Sequence, residues 1–109
     1  MAVEKTSGPE TVATVVEPAG PFGLKERREW LNKVSKAFKG QHRIFHVATA
    51  YALRAHGKDR TVYAGSALIA EETDIAERHV KTERSRLTKA GLLVDTGKRQ
   101  GRAIVYRLV

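Results

Sequence analysis

The chain has 109 residues, with 20 Lys and Arg against 12 Asp and Glu, which gives a formal net charge of +8. This length suits a single domain, and the absence of Cys excludes disulfides and thiolate metal sites. No apolar run approaches the roughly 18 residues of a membrane span, and residues 1–10 lack the apolar core of a signal peptide. We therefore expect a cytoplasmic protein with no membrane contact.

The positive charge is concentrated in the C-terminal third of the chain. Residues 1–20 carry one Lys and three Glu, a balance of −2, so residues 21–109 carry +10. From Arg78 to the C-terminus, nine Lys and Arg stand against one Glu and one Asp, which leaves +7. A basic field of this kind attracts polyanions, and nucleic acid is the leading candidate.

Residues 1–21 are predicted to form a flexible tail. Three Pro and two Gly interrupt this stretch, and small polar residues fill much of the rest. One short apolar run at residues 12–16 is a candidate for pairing with a sheet edge. The composition of the tail favours the alternative, a disordered arm.

The pattern becomes helical between residues 22 and 39. Leu31, Val34 and Phe38 recur at steps of three and four, and Trp30 flanks them. A helix this short and charged must dock its apolar stripe. It either packs on the domain or pairs with its copy in a homodimer. If there is a dimer, this helix is the first candidate for its contact, with Trp30 and Phe38 as the anchors.

The next segment, residues 42–56, is predicted to be the central helix of the core, because its apolar surface is wide. Gly57 is the expected helix stop, and residues 61–65 are rich in β-forming side chains and predict the first strand. The apolar stripe consists of Ile44, Val47, Ala48, Tyr51 and Ala55, widened by Phe45, Ala52 and Leu53.

Two helices joined by a tight turn are predicted after this strand. The first covers residues 67–72, begins after a cap at Ser66, and buries Leu68 and Ile69. The second covers residues 76–89 and is basic. Two helices in this arrangement form a helix-turn-helix, in which the second helix is the one that enters a DNA groove.

The second of these helices shows one irregular position. Val80 and Leu87 lie seven residues apart on its inner face, and Arg84 lies between them, where an apolar residue is expected. We expect the stem of Arg84 to follow the edge of the core while its guanidinium reaches an acidic side chain of the preceding helix or turn. Asp74 and Glu77 have the spacing of a capping box at the start of the helix.

A hairpin is predicted to close the chain. Gly91 ends the basic helix, and residues 92–95 begin a strand. Residues 96–102 contain two Gly and three basic residues and predict a loop. Residues 103–109 alternate in the manner of a return strand. The basic side chains that this hairpin would project at its tip are Lys98, Arg99 and Arg102.

Four motifs carry a family resemblance. They are LIAEETDIAERHV at 68–80, RLTKAGLL at 86–93, GKRQGR at 97–102 and VYRLV at 105–109. With them, residues 42–109 resemble the winged helix-turn-helix domains of bacterial, plasmid and phage DNA-binding proteins. The nearest types are replication initiators and phage replication proteins, with MarR-like and GntR-like repressors close to them.

The resemblance implies a mainly helical α+β fold with a three-helix core and a β-hairpin wing. An extra N-terminal helix at 22–39 precedes this core. The whole of 22–109 would then be one DNA-binding domain. The chain departs from the family at three positions. Asp74 stands where Gly is usual, Ala76 where a Ser or Thr cap is usual, and Arg84 where Leu is usual. Asp tolerates the left-handed conformation of the turn better than most residues.

In such a domain the helix at 76–89 enters the major groove, and the wing at 96–102 approaches the DNA backbone or a minor groove. Arg78 is the main candidate for reading a guanine, since its guanidinium can donate to O6 and N7. His79 and Thr82 lie close enough to touch bases. The remaining candidates would bind phosphates, which fix register without reading sequence; they are Lys81, Ser85, Arg86, Lys98, Arg99 and Arg102.

The sequence therefore predicts a sequence-specific double-stranded DNA-binding protein of the nucleoid. It would be a transcriptional regulator or an accessory factor of replication or partition, acting as a homodimer on paired half-sites. Neither catalysis nor a cofactor is expected, and His42 and His46 have zinc-like spacing without a third ligand. One alternative is a winged-helix module for an acidic protein partner, anchored by Trp30 and Phe38. Another is structured RNA, although exposed stacking aromatics are lacking.

Overall fold

The computed structural model describes residues 21–109, which form a mainly helical α+β fold of four helices and one three-stranded antiparallel sheet. The helices are α1 (Leu24–Ala37), α2 (His42–Arg54), α3 (Ser66–Thr73) and α4 (Glu77–Lys89). The strands are β1 (Thr61–Val62), β2 (Leu93–Gln100) and β3 (Ala103–Leu108), in the spatial order β1-β3-β2. This layout is compatible with a winged helix. The predicted tail, with its apolar run at 12–16, lies outside the described residues except for Pro21.

The core is built around α2, as its apolar stripe predicts. Ile44, Val47 and Tyr51 are each 1% exposed or less, and α2 contacts all three other helices. The buried stripe is narrower than expected, because Phe45 is 39% exposed and Leu53 is 74% exposed. Both side chains project from the sides of α2 that turn away from this stripe. None of the described helices has the length and apolar character needed to cross a membrane.

Helix α1 docks on this core through Trp30 and Val34, which are 1% and 0% exposed. The indole Nε1 of Trp30 donates to the carbonyl of Leu92 at 3.0 Å, which ties α1 to the start of the hairpin. Phe38, at the end of the helix, is half-buried, and the guanidinium of Arg86 lies 5.0 Å from its ring centre. The two aromatic residues predicted as anchors for a partner are thus occupied within the chain.

Phe22 fixes the chain just before α1. Its ring is fully buried, and its N–H donates to the carbonyl of Gly57 at 2.6 Å. The guanidinium groups of Arg27 and Arg60 lie 4.8 and 5.0 Å from the ring centre. Arg27 also donates to the carbonyl of Phe22 at 2.7 Å. A cation near the face of an aromatic ring is attracted to it electrostatically, so both guanidinium groups add to the stabilisation from burial of the ring.

Two predicted helix boundaries are wrong. Helix α2 ends because Ala55 adopts an extended conformation, so the chain leaves the helix without a glycine stop at Gly57. Helix α3 begins at Ser66 itself, with Gly65 as its N-cap. The Ser66 hydroxyl therefore does not cap the helix; it donates to the carboxylate of Glu77 at 2.7 Å and so links α3 to α4.

Helix α3 docks through a narrow strip that contains Ile69, which is 0% exposed. The prediction that Leu68 is also buried is wrong, since Leu68 is 38% exposed. Successive residues of a helix point about 100° apart, so with Ile69 directed at the core Leu68 lies toward one side of α3. On the outer surface, the Arg54 guanidinium of α2 donates to the carboxylate of Glu72, and this hydrogen bond lowers the pKa of Glu72 and raises that of Arg54.

The chain turns from α3 into α4 at Asp74. This residue is left-handed, with φ 56° and ψ 35°, and its N–H donates to the carbonyl of Ala70. The expectation that Asp accommodates this conformation is confirmed. The predicted capping box is wrong: among the described residues, α4 has Ala76 as its N-cap with no side-chain cap bond, and the carboxylate of Glu77 accepts from Ser66 instead.

We expect Asp74→Val to lower the free energy of unfolding by about 1–2 kcal/mol, because a β-branched side chain is strained in the left-handed region. Asp74→Gly should change it by less than about 0.5 kcal/mol, since relief of backbone strain offsets the larger unfolded-state entropy of Gly. Urea denaturation followed by circular dichroism measures both values. A loss of about 1 kcal/mol in the Gly variant would indicate instead that the Asp74 carboxylate caps α4.

The hairpin is longer and tighter than predicted. Strand β2 continues to Gln100, and the pair Arg99–Ile104 is part of its ladder with β3. The turn itself is confined to Gly101 and Arg102. Most of the predicted loop at 96–102 is therefore strand.

A bulge in β2 explains why this region reads as a loop in sequence. Residues 96–98 lie opposite Val105 alone, and Gly97 has a φ of 81°, which favours glycine. The carboxylate of Asp95 accepts from the Gly97 N–H at 2.8 Å, and the Thr96 hydroxyl donates to the Val105 carbonyl at 2.7 Å. These bonds satisfy backbone groups that the bulge removes from the ladder.

Candidate nucleic-acid interface

Helix α4 presents a polar and basic outer face. Val80 and Leu87 are fully buried, as predicted, and fix which side of the helix meets the core. Among the described residues no ion pair engages Arg78, whereas Lys81 Nζ lies 3.7 Å from the carboxylate of Glu77 in an exposed pair. Such a pair is weak, so both cations can meet a polyanion. The exposed residues of this face are Arg78, Lys81, Thr82, Ser85 and Lys89.

Lys89 was missed in the sequence prediction, although its spacing identifies it. Residues 78, 82, 85 and 89 follow one another at steps of four, three and four, which places them on one side of a helix. Arg78 stands in the first turn of α4 and Lys89 in the last. The row is thus about 16 Å long at 1.5 Å per residue, which exceeds the width of about 12 Å of the B-DNA major groove.

His79 and Arg86 lie on one flank of α4, beside this face, and both are half-buried. The Arg86 guanidinium is held by the chain itself. One terminal nitrogen donates to Glu83 at 2.9 Å, and the other donates to the side-chain oxygen of Gln41 at 2.5 Å. Its Cζ lies over the ring of Phe38, 5.0 Å from the ring centre. Of the predicted phosphate-binding residues, Arg86 is therefore the one whose orientation is fixed before any ligand arrives.

Glu83 is the acceptor at the centre of this flank. The sequence prediction gave it no specific role. Its side chain is 2% exposed and also accepts from Arg43 Nε at 2.6 Å. Its partner on α2 precedes it by 40 residues, so no local spacing identifies the pair. A buried carboxylate is costly unless it is paired and hydrogen-bonded, and here two guanidinium groups meet that need.

Arg84 follows the core edge, as predicted, and is half-buried. The prediction that its guanidinium reaches an acidic side chain of α3 or the turn is wrong. Its guanidinium lies 5.7 Å from the ring centre of Tyr106 on β3, because the inner face of the sheet presents an aromatic ring to α4. Burial raises the pKa of the neighbouring Tyr51 hydroxyl, and the positive charge of Arg84 opposes that rise.

The three basic residues predicted for the hairpin are all exposed, but they occupy different parts of it. Arg102 is in the turn, and Lys98 is in the bulge. Arg99 pairs with Ile104 and so shares the sheet face from which Ile104 and Tyr106 pack on the core. Arg99 is thus on the side of the hairpin that faces the helices.

Within residues 21–109, no group of three or more His, Asp or Glu side chains gathers as a metal site would require. His42 and His46 lie one turn apart on the exposed side of α2. Comparisons with protein-family models, curated proteins and solved structures gave no significant match. The family resemblance therefore rests on the sequence motifs of this chain alone.

Proposed function

We propose that the protein is a winged helix-turn-helix protein that binds double-stranded DNA with sequence preference. In this proposal α4 enters the major groove, and the β2–β3 hairpin is the wing. One observation carries it: an exposed basic helix face and an exposed basic hairpin belong to the same small domain, and on both of them the exposed cations outnumber the exposed carboxylates. Regulation of transcription and an accessory role in replication or partition both fit such binding.

The base-reading role falls to the first half of α4. Arg78 is exposed in the first turn, where its guanidinium has the reach and donors for guanine O6 and N7. Thr82 lies one turn further along, and its hydroxyl donates to the Arg78 carbonyl at 3.0 Å, which leaves its methyl group for a thymine methyl. Ser85 and Lys89 continue the row toward the phosphates of the groove wall.

A homodimer is part of this proposal, because one helix and one wing cover only a few base pairs. Since Trp30 is buried in the core, the dimer contact would need other apolar side chains. Leu24 on α1 and Leu53 on α2 are each 74% exposed. The burial of Trp30 also removes the main anchor of the alternative, in which the domain binds an acidic protein.

Selection of bound fragments from a random pool of double-stranded DNA tests the proposal, since it yields the site, its symmetry and its half-site spacing. A pool that shows no enrichment, from protein with native circular dichroism, would contradict it. Arg78→Ala should then relax discrimination at one base position by about 1–3 kcal/mol and leave the others unchanged. Lys58→Ala, an exposed cation in the turn before β1, is the control that should leave the preferred sequence unaltered.

A further inference from the structure

Two guanidinium groups on the flank of α4 share one buried carboxylate. We propose that Arg43 and Arg86 form a phosphate-binding pair beside the base-reading face, and that Glu83 is the positioning residue that holds both. Arg43 lies at the start of α2, so this pair would bring a second helix into contact with DNA. The inference deepens the proposed function and rests on it.

The hydrogen bonds of Glu83 leave donors free on Arg43. Only Nε of Arg43 donates to Glu83, at 2.6 Å. Within the described part of the chain, no hydrogen bond is recorded for its two terminal amino groups, and its side chain is 46% exposed. A guanidinium fixed at Nε presents these two groups together on its far side, in the fork geometry that matches a phosphate.

Arg86 is held in a similar way by the other carboxylate oxygen of Glu83. It uses one N–H on each terminal nitrogen for Glu83 and Gln41, and its Cζ lies 5.0 Å from the centre of the Phe38 ring. Its side chain is still 38% exposed. Because these contacts order the side chain during folding, binding a phosphate would cost little further side-chain entropy.

The position of the pair points to phosphate and away from base reading. Arg86 follows Thr82 by four residues and is its neighbour on the helix surface, so the pair borders the proposed base-reading row. With that row in a major groove, the groove wall next to this flank is a sugar-phosphate backbone. Two cations on one carboxylate leave a net charge of +1 for the cluster, which favours an anionic ligand.

Glu83→Gln gives a test in which long-range electrostatics and the proposed pair predict opposite changes in DNA affinity. The substitution raises the net charge by one, so long-range electrostatics alone would tighten DNA binding. The proposal predicts about tenfold weaker binding at 0.1 M salt. The amide keeps one acceptor oxygen for one arginine but turns N–H donors toward the other. The second guanidinium then loses its fixed position, and about one phosphate contact is lost. Glu71→Gln is the matched control: it is exposed on α3, makes the same charge change, and should bind as tightly as wild type or more so.

Titration with duplex DNA at several salt concentrations measures both affinity and slope. The slope of log K against log salt should fall by about 0.9 in Glu83→Gln. The proposal is overturned if Glu83→Gln binds like Glu71→Gln with the wild-type slope. Failure of the wild-type protein to bind DNA at all would instead overturn the proposed function, and this inference with it.

Arg43→Ala keeps the test decisive if Glu83→Gln does not fold. Its slope should fall by about 0.9 and its affinity at 0.1 M salt by about eightfold. Arg54→Ala, at the other end of the same helix and paired with Glu72, removes the same charge and should leave the slope unchanged. Arg43→Lys keeps the charge but loses the fork, so it should bind more weakly than wild type. Equal slopes in Arg43→Ala and Arg54→Ala would overturn the proposal.

Discussion

Replacement of Trp30 by Ala is expected to lower the free energy of unfolding by about 3–5 kcal/mol. The indole is 1% exposed and is among the largest fully buried side chains. Its removal leaves a cavity between α1 and the rest of the core, and the Leu92 carbonyl loses its donor. A domain of this size has a total stability of about 5–15 kcal/mol, so the loss is a large part of the whole.

Urea denaturation followed by far-ultraviolet circular dichroism measures this change without relying on tryptophan fluorescence. Arg28→Ala is the control, because it truncates a long exposed side chain of the same helix and should cost less than about 0.5 kcal/mol. Similar losses in the two variants would show that α1 is not docked as described. A loss that grows with protein concentration would instead assign Trp30 to a dimer contact.

Local patterns were sufficient to predict the elements that bury one regular face. In α2, Ile44, Val47 and Tyr51 recur at helical spacing, and all three are buried. In α4, Val80 and Leu87 identify the inner side of the helix correctly, and both are fully buried. The left-handed turn at Asp74 followed from the family resemblance, in which Gly is usual at this position, and Asp adopts that conformation more readily than most residues.

Two of the errors fall where a contact joins residues of separate elements. Ser66 and Glu77 were both given roles in capping local helices, yet they bond to each other. Arg84 was expected to reach a carboxylate, but its guanidinium lies over the ring of Tyr106, 22 residues later in the chain. Local spacing cannot predict such contacts, because each depends on how two separate elements pack.

The candidate site likewise contains residues that local spacing predicts and residues that it does not. Exposed basic residues on α4 follow from helical periodicity, and Lys89 would have been found by extending the row by one step. In sequence, Glu83 is one of two acidic residues in a basic helix, a pattern typical of solvated faces. Its burial depends on Arg43, which α2 brings to it. A site that spans two helices therefore appears only once their packing is known.

The simultaneous change of Lys98, Arg99 and Arg102 to Ala should have the largest effect on DNA binding. If each side chain neutralises one phosphate, the slope of log K against log salt falls by about 2.7, and affinity at 0.1 M salt falls by about 10²–10³-fold. The effect should be similar for all sequences, because backbone contacts do not discriminate between bases. Stability should change by less than about 0.5 kcal/mol, since surface positions tolerate substitution and all three side chains are exposed.

Titrations of a selected site and of a random duplex, each at several salt concentrations, measure these quantities. The matched control changes three exposed cations of α1, Lys25, Arg28 and Lys33, to Ala. It removes the same net charge from a surface outside the proposed interface, so its slope should stay near the wild-type value. Because long-range attraction depends on total charge and contact depends on position, equal losses in the two triple variants would mean that the hairpin does not touch DNA. A hairpin loss confined to the selected site would instead assign the wing to base reading.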